Sequence, residues 1–198
     1  MRVASTKAIL GMAFFLTTLS APTAWAAPDA VAGKAKAQVC AACHGEQGVS
    51  ALPGTPHLAA QPPLSIFYQL LQFRDQRRKG GGMEAIAATL SEPDMRDIAA
   101  YYSALTPPEP KADGDAALIA RGEAIAQQQY CSSCHGARLQ GQKHVPRLSG
   151  QDTQYFNTQL RNLRSGARAD MDGTMASAAR SLTDDEIAAM AAYARSLP

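Results

Sequence analysis

The sequence predicts an all-α protein made of one helical unit written twice, and three observations carry that prediction. First, Cys40-Ala41-Ala42-Cys43-His44-Gly45 recurs as Cys131-Ser132-Ser133-Cys134-His135-Gly136, at an offset of 91. Second, the landmarks that follow keep pace. Pro56, His57, Leu58 and Gln61 return as Pro146, Arg147, Leu148 and Gln151; Gln69, Leu70 and Arg74 return as Gln159, Leu160 and Arg164. Leu90, Ser91 and Tyr101 return as Leu182, Thr183 and Tyr193, so the offset stays between 90 and 92, which marks an internal repeat. Third, no run of β-branched residues alternates with polar ones, so nothing reads as a strand.

Each unit reads as three helices. An Ala-rich stretch from Val31 to Ala42 runs into the first CxxCH, and Ala117 to Tyr130 runs into the second. A second helix follows Pro62-Pro63, with Leu64, Phe67, Leu70 and Leu71 at helical spacing; its counterpart carries Tyr155, Phe156, Gln159, Leu160 and Leu163. A third opens at a capping box, Ser91-x-x-Asp94 or Thr183-x-x-Glu186, in which side chains satisfy the first orphan amides, and ends near Leu105 or Leu197. Between the units, Thr106-Pro107-Pro108-Glu109-Pro110-Lys111-Ala112-Asp113-Gly114 has three prolines that remove backbone donors and favour an extended chain. The predicted organisation is therefore a unit at 29–105, a linker at 106–114 and a second unit at 115–198.

Composition sets the outer bounds. Of 198 residues, 46% are hydrophobic and 18% charged, which excludes wholesale disorder. Much of that hydrophobic share is Ala, so each core is thin, and a unit of this size commonly leans on a bound cofactor. Nineteen Lys and Arg against seventeen Asp and Glu argue against a nucleic-acid binder.

The first 26 residues read as a secretory signal peptide. Arg2 and Lys7 precede an apolar run from Ala8 to Ala21, and Ala24-Trp25-Ala26 supplies the small residues of a cleavage site. The alternative is an uncleaved anchor, but the run is interrupted by Thr17, Thr18 and Ser20 and falls short of the ~20 apolar residues a span needs. Cleavage after Ala26 leaves 172 residues with seventeen charges of each sign, in an oxidising compartment outside the cytoplasm. The expected location is the periplasm.

The two CxxCH motifs carry the chemistry. On a helix, residues i and i+3 lie one turn apart on the same side. Two thiols so placed reach the two vinyl groups of one haem, and the following His directs its imidazole at the iron; CxxCH is the attachment signature of haem c. Cys40, Cys43, Cys131 and Cys134 are then all consumed. Three alternatives fit less well. A thioredoxin-type pair wants a βαβ context, a zinc site leaves the two identically placed His unexplained, and i,i+3 disulfides staple almost nothing.

Two CxxCH units, each followed by P-x-L-x-x-Q, a Q-L helix, a Met and a final L-S/T helix ending in Tyr, resemble the dihaem cytochrome c4 family of class I cytochromes c. The resemblance covers essentially the whole chain after the leader. It implies two tandem class I cytochrome c domains related by a pseudo-two-fold, with two covalent haems facing across the domain interface. It also implies that Pro56 and Pro146 offer carbonyls to the ligand histidines; a plain turn proline is the alternative. In the family the first and last helices cross tightly, an aromatic against a small residue. Here Tyr101 and Tyr193 supply the aromatic, and Gly33 and Gly122, or an alanine nearby, the small residue.

The axial ligands follow from the repeat. His44 and His135 are the proximal ligands. On the opposite face Met is the soft candidate. Met1 and Met12 fall in the leader; Met95 and Met190 align with Ile187 and Ile98 and read as core; Met171 sits in a poorly matched stretch. Met83 and Met175 pair with each other, each seven residues before the Leu of the last helix and 39 or 40 after its proximal His. Family resemblance points to the same two. His57 and His144, the competing sixth ligands, align with Arg147 and Gly54 and read as loop residues.

Arg74, Arg77, Arg78 and Lys79 read as the solvated end of one middle helix, and Arg161, Arg164 and Arg168 as the end of the other, complementing the helix dipoles. The alternative is pairing with haem propionates or with an acidic partner surface. The expected function is soluble electron transfer between redox protein partners in a respiratory chain, without catalysis. The named partners are a quinol-oxidising complex, a terminal oxidase or a periplasmic dehydrogenase, with peripheral membrane association open. The alternatives are a fixed electron-transfer subunit of a dehydrogenase and, less favoured, a dihaem peroxidase.

Overall fold

The computed structural model describes Met1, residues 27–112 and residues 114–198; the predicted signal peptide lies outside the described residues. These residues form ten α-helices and no strand, with one isolated bridge between Gln142 and Val145. The first unit holds α1 (Ala30–Lys36), α2 (Gln38–His44), α3 (Pro63–Arg74), α4 (Met83–Ala88) and α5 (Glu92–Ser103). The second repeats the order with α6 (Ala116–Gln128), α7 (Cys131–His135), α8 (Thr153–Ser165), α9 (Thr174–Ala179) and α10 (Asp184–Ser196). No described helix is long and apolar enough to cross a membrane.

The structure differs from three helices per unit in two ways. The helix expected over Val31–Ala42 is broken at Ala37, and the one expected over Ala117–Tyr130 ends at Gln128. The break absorbs the unequal spacing, because seven residues separate Gly33 from Cys40 but nine separate Gly122 from Cys131. Tyr130 takes up the extra length by turning left-handed, at φ 53°, an uncommon state for a residue with a side chain. The second difference is the short helices α4 and α9, which start at left-handed Gly82 and Gly173. Glycine enters that conformation without steric cost, so the chain turns sharply into the segment that carries Met83 or Met175.

Both capping boxes form, with the Asp94 N–H donating to Ser91 Oγ and the Glu186 N–H to Thr183 Oγ1. The helices they start cross the first helix of each unit at a glycine. A Cβ on Gly33 would lie 1.9 Å from the Asp97 carbonyl oxygen and 3.0 Å from Tyr101 Cβ. One on Gly122 would lie 2.0 Å from the Ala189 carbonyl oxygen and 2.8 Å from Tyr193 Cβ. Glycine itself therefore makes the contact, and not a neighbouring alanine.

Each unit buries its own core. Ile66, Phe67 and Leu70 of α3 meet Met95, Ile98, Ala99 and Tyr102 of α5; Phe156, Leu160 and Leu163 of α8 meet Ile187, Met190, Ala191 and Ala194 of α10. Met95 and Met190 thus sit in the core, as their alignment with isoleucines predicts. The linker lies along the second unit: Pro108 is buried, and the Lys111 N–H donates to the Arg195 carbonyl at 3.0 Å.

The units are joined by a reciprocal clasp. Gln61 donates from Nε2 to the Arg147 carbonyl (2.9 Å) and accepts the Arg147 N–H at Oε1 (2.9 Å). Its repeat partner Gln151 does the same to His57, the repeat partner of Arg147, at 3.0 and 2.8 Å. One glutamine thus serves both groups of a facing peptide in each direction, which is what two-fold pairing of one surface with itself requires.

Candidate functional site

His44 and His135 close α2 and α7, one residue after the second Cys of each motif, and both are buried. Their orientation is fixed from behind. His44 Nδ1 lies 2.9 Å from the Pro56 carbonyl oxygen, and His135 Nδ1 lies 2.8 Å from that of Pro146. A carbonyl only accepts, so each Nδ1 carries the proton and each Nε2 presents a lone pair. His135 Nε2 is buried and has no partner in the protein. Burial lowers both imidazole pKa values, an effect the proline carbonyls partly oppose, and so favours the neutral form that binds metal. A hydrogen bond behind a ligand imidazole also raises its basicity toward a metal.

No disulfide joins the four cysteines. Cys40 and Cys131 are half-buried, and burial pushes their thiol pKa values up; Cys43 and Cys134 are exposed. Cys40 and Met83 both lie against the first core, and Cys131 and Met175 both lie against the second. Among the described residues no three His, Cys, Asp or Glu side chains converge where they could hold a metal ion, so the zinc alternative finds no site. What each unit offers instead is two thiols on one side of a helical turn, a neutral imidazole beside them, and a methionine on the same core. That donor set fits a haem held by two thioether bonds with nitrogen and sulfur at the iron.

Met83 opens α4 with its N–H on the Gly80 carbonyl at 3.0 Å. Met175 is anchored by its N–H donating to Asp170 Oδ2 at 2.6 Å. His57 is committed elsewhere: its Nδ1 accepts the Ser50 N–H at 3.0 Å, and its backbone is held by Gln151. His144 is exposed, edge-on to the Tyr68 ring.

The basic residues divide: Arg77 and Lys79 are exposed as expected of solvated helix ends, whereas Arg78 and Arg168 depart from that reading and contact the other unit. Arg74 ends α3 and pairs with Asp75 and Glu92, while its repeat partner Arg164 reaches the Leu182 carbonyl and Asp184. Both tie the middle helix to the start of the last one. Arg78, by contrast, is only 5% exposed and reaches across to Tyr155 and Gln159 of the other unit. Arg168 reaches back to Gln69. Gln61, Gln69, Gln151 and Gln159 join the units, a role that no local sequence pattern declares. The signal was present, since Gln61 and Gln69, like Arg78, recur at an offset of 90.

The chain is similar to known proteins over most of its length. Residues 119–198 match the family model described as "Cytochrome c", and residues 11–101 match "Cytochrome C oxidase, cbb3-type, subunit III". The chain is 41% identical to cytochrome c4 of Thiocapsa roseopersicina over 85% of its length and 93% of that protein. It is 33% identical to the thiosulfate dehydrogenase electron acceptor of Thiomonas intermedia (strain K12), over 100% of this chain and 92% of that one. Crystalline reduced cytochrome c4 from Pseudomonas stutzeri superposes with a TM-score of 0.81 at 31% identity, covering 87% of this chain and all of that one.

Proposed function

The chain belongs to the dihaem cytochrome c4 family and carries two covalent haem c groups, and from that premise we propose that it is a periplasmic electron carrier whose two irons are held by His44 with Met83 and by His135 with Met175. Cys40 with Cys43, and Cys131 with Cys134, make the thioether bonds. A haem iron held there would supply a reversible one-electron couple. The residues around it supply everything else: α2 and α7 aim the imidazoles, the Pro56 and Pro146 carbonyls hold them at one rotation, and α4 and α9 bring the methionines. His44 with Met83, and His135 with Met175, would hold the iron with chain donors and would leave oxygen or peroxide no open site. The reading is therefore a carrier delivering electrons within a respiratory chain, with a terminal oxidase as the acceptor.

The observation that supports it most is the pair of proline carbonyls behind the histidines, because each turns Nε2 away from the carbonyl as a free lone pair, and that of His135 is buried without a partner in the protein. A second reading, a dedicated acceptor for a periplasmic dehydrogenase, draws on the likeness to the Thiomonas protein. Stopped-flow reduction by a quinol-oxidising complex and by a thiosulfate-oxidising enzyme separates the two.

The test of ligation uses protein expressed with haem-maturation machinery. An intact mass with two haems added and a weak sulfur-to-ferric-iron band in the far red are expected. Met83→Ala and Met175→Ala should each remove about half of that band, while Met95→Ala leaves it. Loss of half the band in Met95→Ala overturns the assignment, and rapid peroxide turnover by the native protein overturns the carrier reading.

A further inference from the structure

The two candidate axial methionines are held by different kinds of group. Met83 gives its N–H to a backbone carbonyl, that of Gly80, at 3.0 Å. Met175 gives its N–H to a side chain, Asp170 Oδ2, at 2.6 Å. The difference begins in chain length. Arg78 and Arg168 both reach across the units, yet Met83 lies five residues after Arg78 and Met175 seven after Arg168. The longer loop carries Asp170 where the shorter has Gly80, at the repeat offset of 90. Unit one does have a carboxylate close by, Glu84, but it accepts the exposed Gly80 N–H at 3.1 Å and not that of Met83.

Asp170 stands in a braced loop. It is half-buried between exposed Ala169 and exposed Met171. Behind it, the Arg168 N–H donates to the Asn162 carbonyl of α8 at 3.0 Å. The Arg168 guanidinium donates to Gln159 and, in the other unit, to Gln69, both at 3.0 Å. Ahead of it, Asp172 Oδ1 accepts the Thr174 N–H at 3.0 Å. The Asp170 charge also acts on Arg168, opposing the burial and the Arg78 charge that pull the Arg168 pKa down to about 10. Unit one has Gly80-Gly81-Gly82 in this place, and a Cβ on Gly81 or Gly82 would meet nothing within 4 Å. Glycine has more backbone freedom to lose than any other residue. A methionine at the end of such a run therefore gains more entropy by letting go than one at the end of a braced loop. A hydrogen bond to an ionised acceptor is also roughly twice as strong as one between neutral groups.

We propose that Asp170 is the positioning residue for Met175, and that Met83, which has no counterpart of it, is the more readily displaced of the two ligands. The inference rests on the methionine ligation proposed above. Its consequence is a division between the units. The ligand of unit two is braced from the interface through the Gln69–Arg168 contact, while the site of unit one admits an outside donor first. The donor is a small neutral base with an exposed lone pair. Its entry is a ligand exchange: one iron–sulfur bond breaks, one iron–nitrogen bond forms, and no electron moves.

The probe is imidazole, added to the full ferric holoprotein and read at the far-red sulfur-to-iron band. Met83→Ala leaves the band of Met175, and Met175→Ala leaves that of Met83. If either variant keeps the whole band, the ligation assignment itself fails; half a band in each isolates the positioning question. Imidazole should bleach the Met83 band at a concentration about fivefold or more below that needed for the Met175 band. Adding Asp170→Ala to Met83→Ala should make the Met175 band more sensitive by about the same factor. Asp170→Asn, which keeps an acceptor oxygen, should recover most of the difference. Adding Asp170→Ala to Met175→Ala should leave the Met83 band unmoved. Should Asp170→Ala fail to accumulate, Asp170→Gly, which copies unit one, takes its place. Equal bleaching of the two bands, an unmoved Met175 band without Asp170, or an equal change in Asp172→Ala would each overturn the proposal.

Discussion

The two units make the same helix crossing with opposite chemistry around it. At Gly33 the first and last helices of unit one are bound by charge. Lys36 Nζ reaches Asp94 at 2.6 Å and Asp97 at 2.7 Å, and Asp97 also accepts the Asp29 N–H at 2.8 Å. At Gly122 the corresponding surfaces are apolar: Leu118, Ile125 and Ala189 close against one another in the second core. Counted from the glycines, Lys36 becomes Ile125 and Asp29 becomes Leu118; in the last helix Asp97 becomes Ala189. The shared element is the glycine and its tyrosine. The crossing distance is therefore what the fold needs, and the side chains around it are free to be ionic or apolar.

Breaking the shared element should have the largest effect. In Gly33→Ala and Gly122→Ala the new methyl collides with a backbone carbonyl, which cannot rotate away, so a loss of at least ~1–3 kcal/mol is expected in each. Thermal unfolding of the holoprotein, followed at the haem absorbance, reads it. Either variant melting with wild type would show that the helices slide apart at no cost.

Next in size is the clasp. Gln61→Ala leaves a buried N–H and C=O of Arg147 unpaired, at about 1–3 kcal/mol. Gln151→Ala exposes the His57 peptide in a wetter, half-buried place and should cost less. Faster proteolysis at the linker should follow the same order. A larger loss for Gln151→Ala would reverse the ranking of the two faces.

These residues also show where the sequence was legible. The CxxCH motifs, the middle helices and both capping boxes depend on residues within a few positions of one another, so spacing alone exposes them. The short helices α4 and α9 do not show, because six residues after a glycine carry no helical period. The contacts of Arg78 and Arg168 across the units were hidden for another reason. Repetition says that residues 78 and 168 are equivalent, but only the docking of the units says that they meet, and a basic residue just past a helix end reads as solvated until a partner covers it.

A smaller effect separates the two crossings by pH. Lys36, helped by Ser91, holds the Asp94 carboxyl at about 2, below its ordinary value of 3.8, and the Asp29 N–H with Lys36 lowers Asp97. A depressed carboxyl stabilises the fold fully above its unfolded pKa and loses that contribution as pH falls through the folded one. Unit one should therefore loosen between about pH 4 and pH 2, and salt should weaken it at neutral pH as well. Unit two loses support only at the starts of α9 and α10, where the Thr174 N–H lowers Asp172, and Arg164 and Thr183 lower Asp184 and Glu186. Amide hydrogen exchange across acid pH should show α1 opening before α6, and simultaneous opening would remove the distinction.

The smallest effect concerns the irons themselves. Behind the ligand histidines, the residue after the proline is His57 in one unit and Arg147 in the other. Burial lowers the His57 pKa, so it stands neutral at physiological pH. Arg147 is 8% exposed, donates from Nε to the Ser149 carbonyl at 3.1 Å, and keeps a buried Nη2 without a partner. A guanidinium stays charged there, and no carboxylate of the described residues offsets it. Its field favours the more negative, reduced state of the nearer iron, so the second unit should hold the higher potential. Arg147→Gln keeps the backbone groups that Gln61 grips and removes only the charge. It should lower the upper reduction step by less than tenfold in equilibrium constant, under about 59 mV for one electron, and leave the lower step nearly still. The converse, His57→Arg, should raise the lower step and draw the two together. If Arg147→Gln instead moved the lower step, the higher potential would belong to the first unit and the asymmetry would have another source.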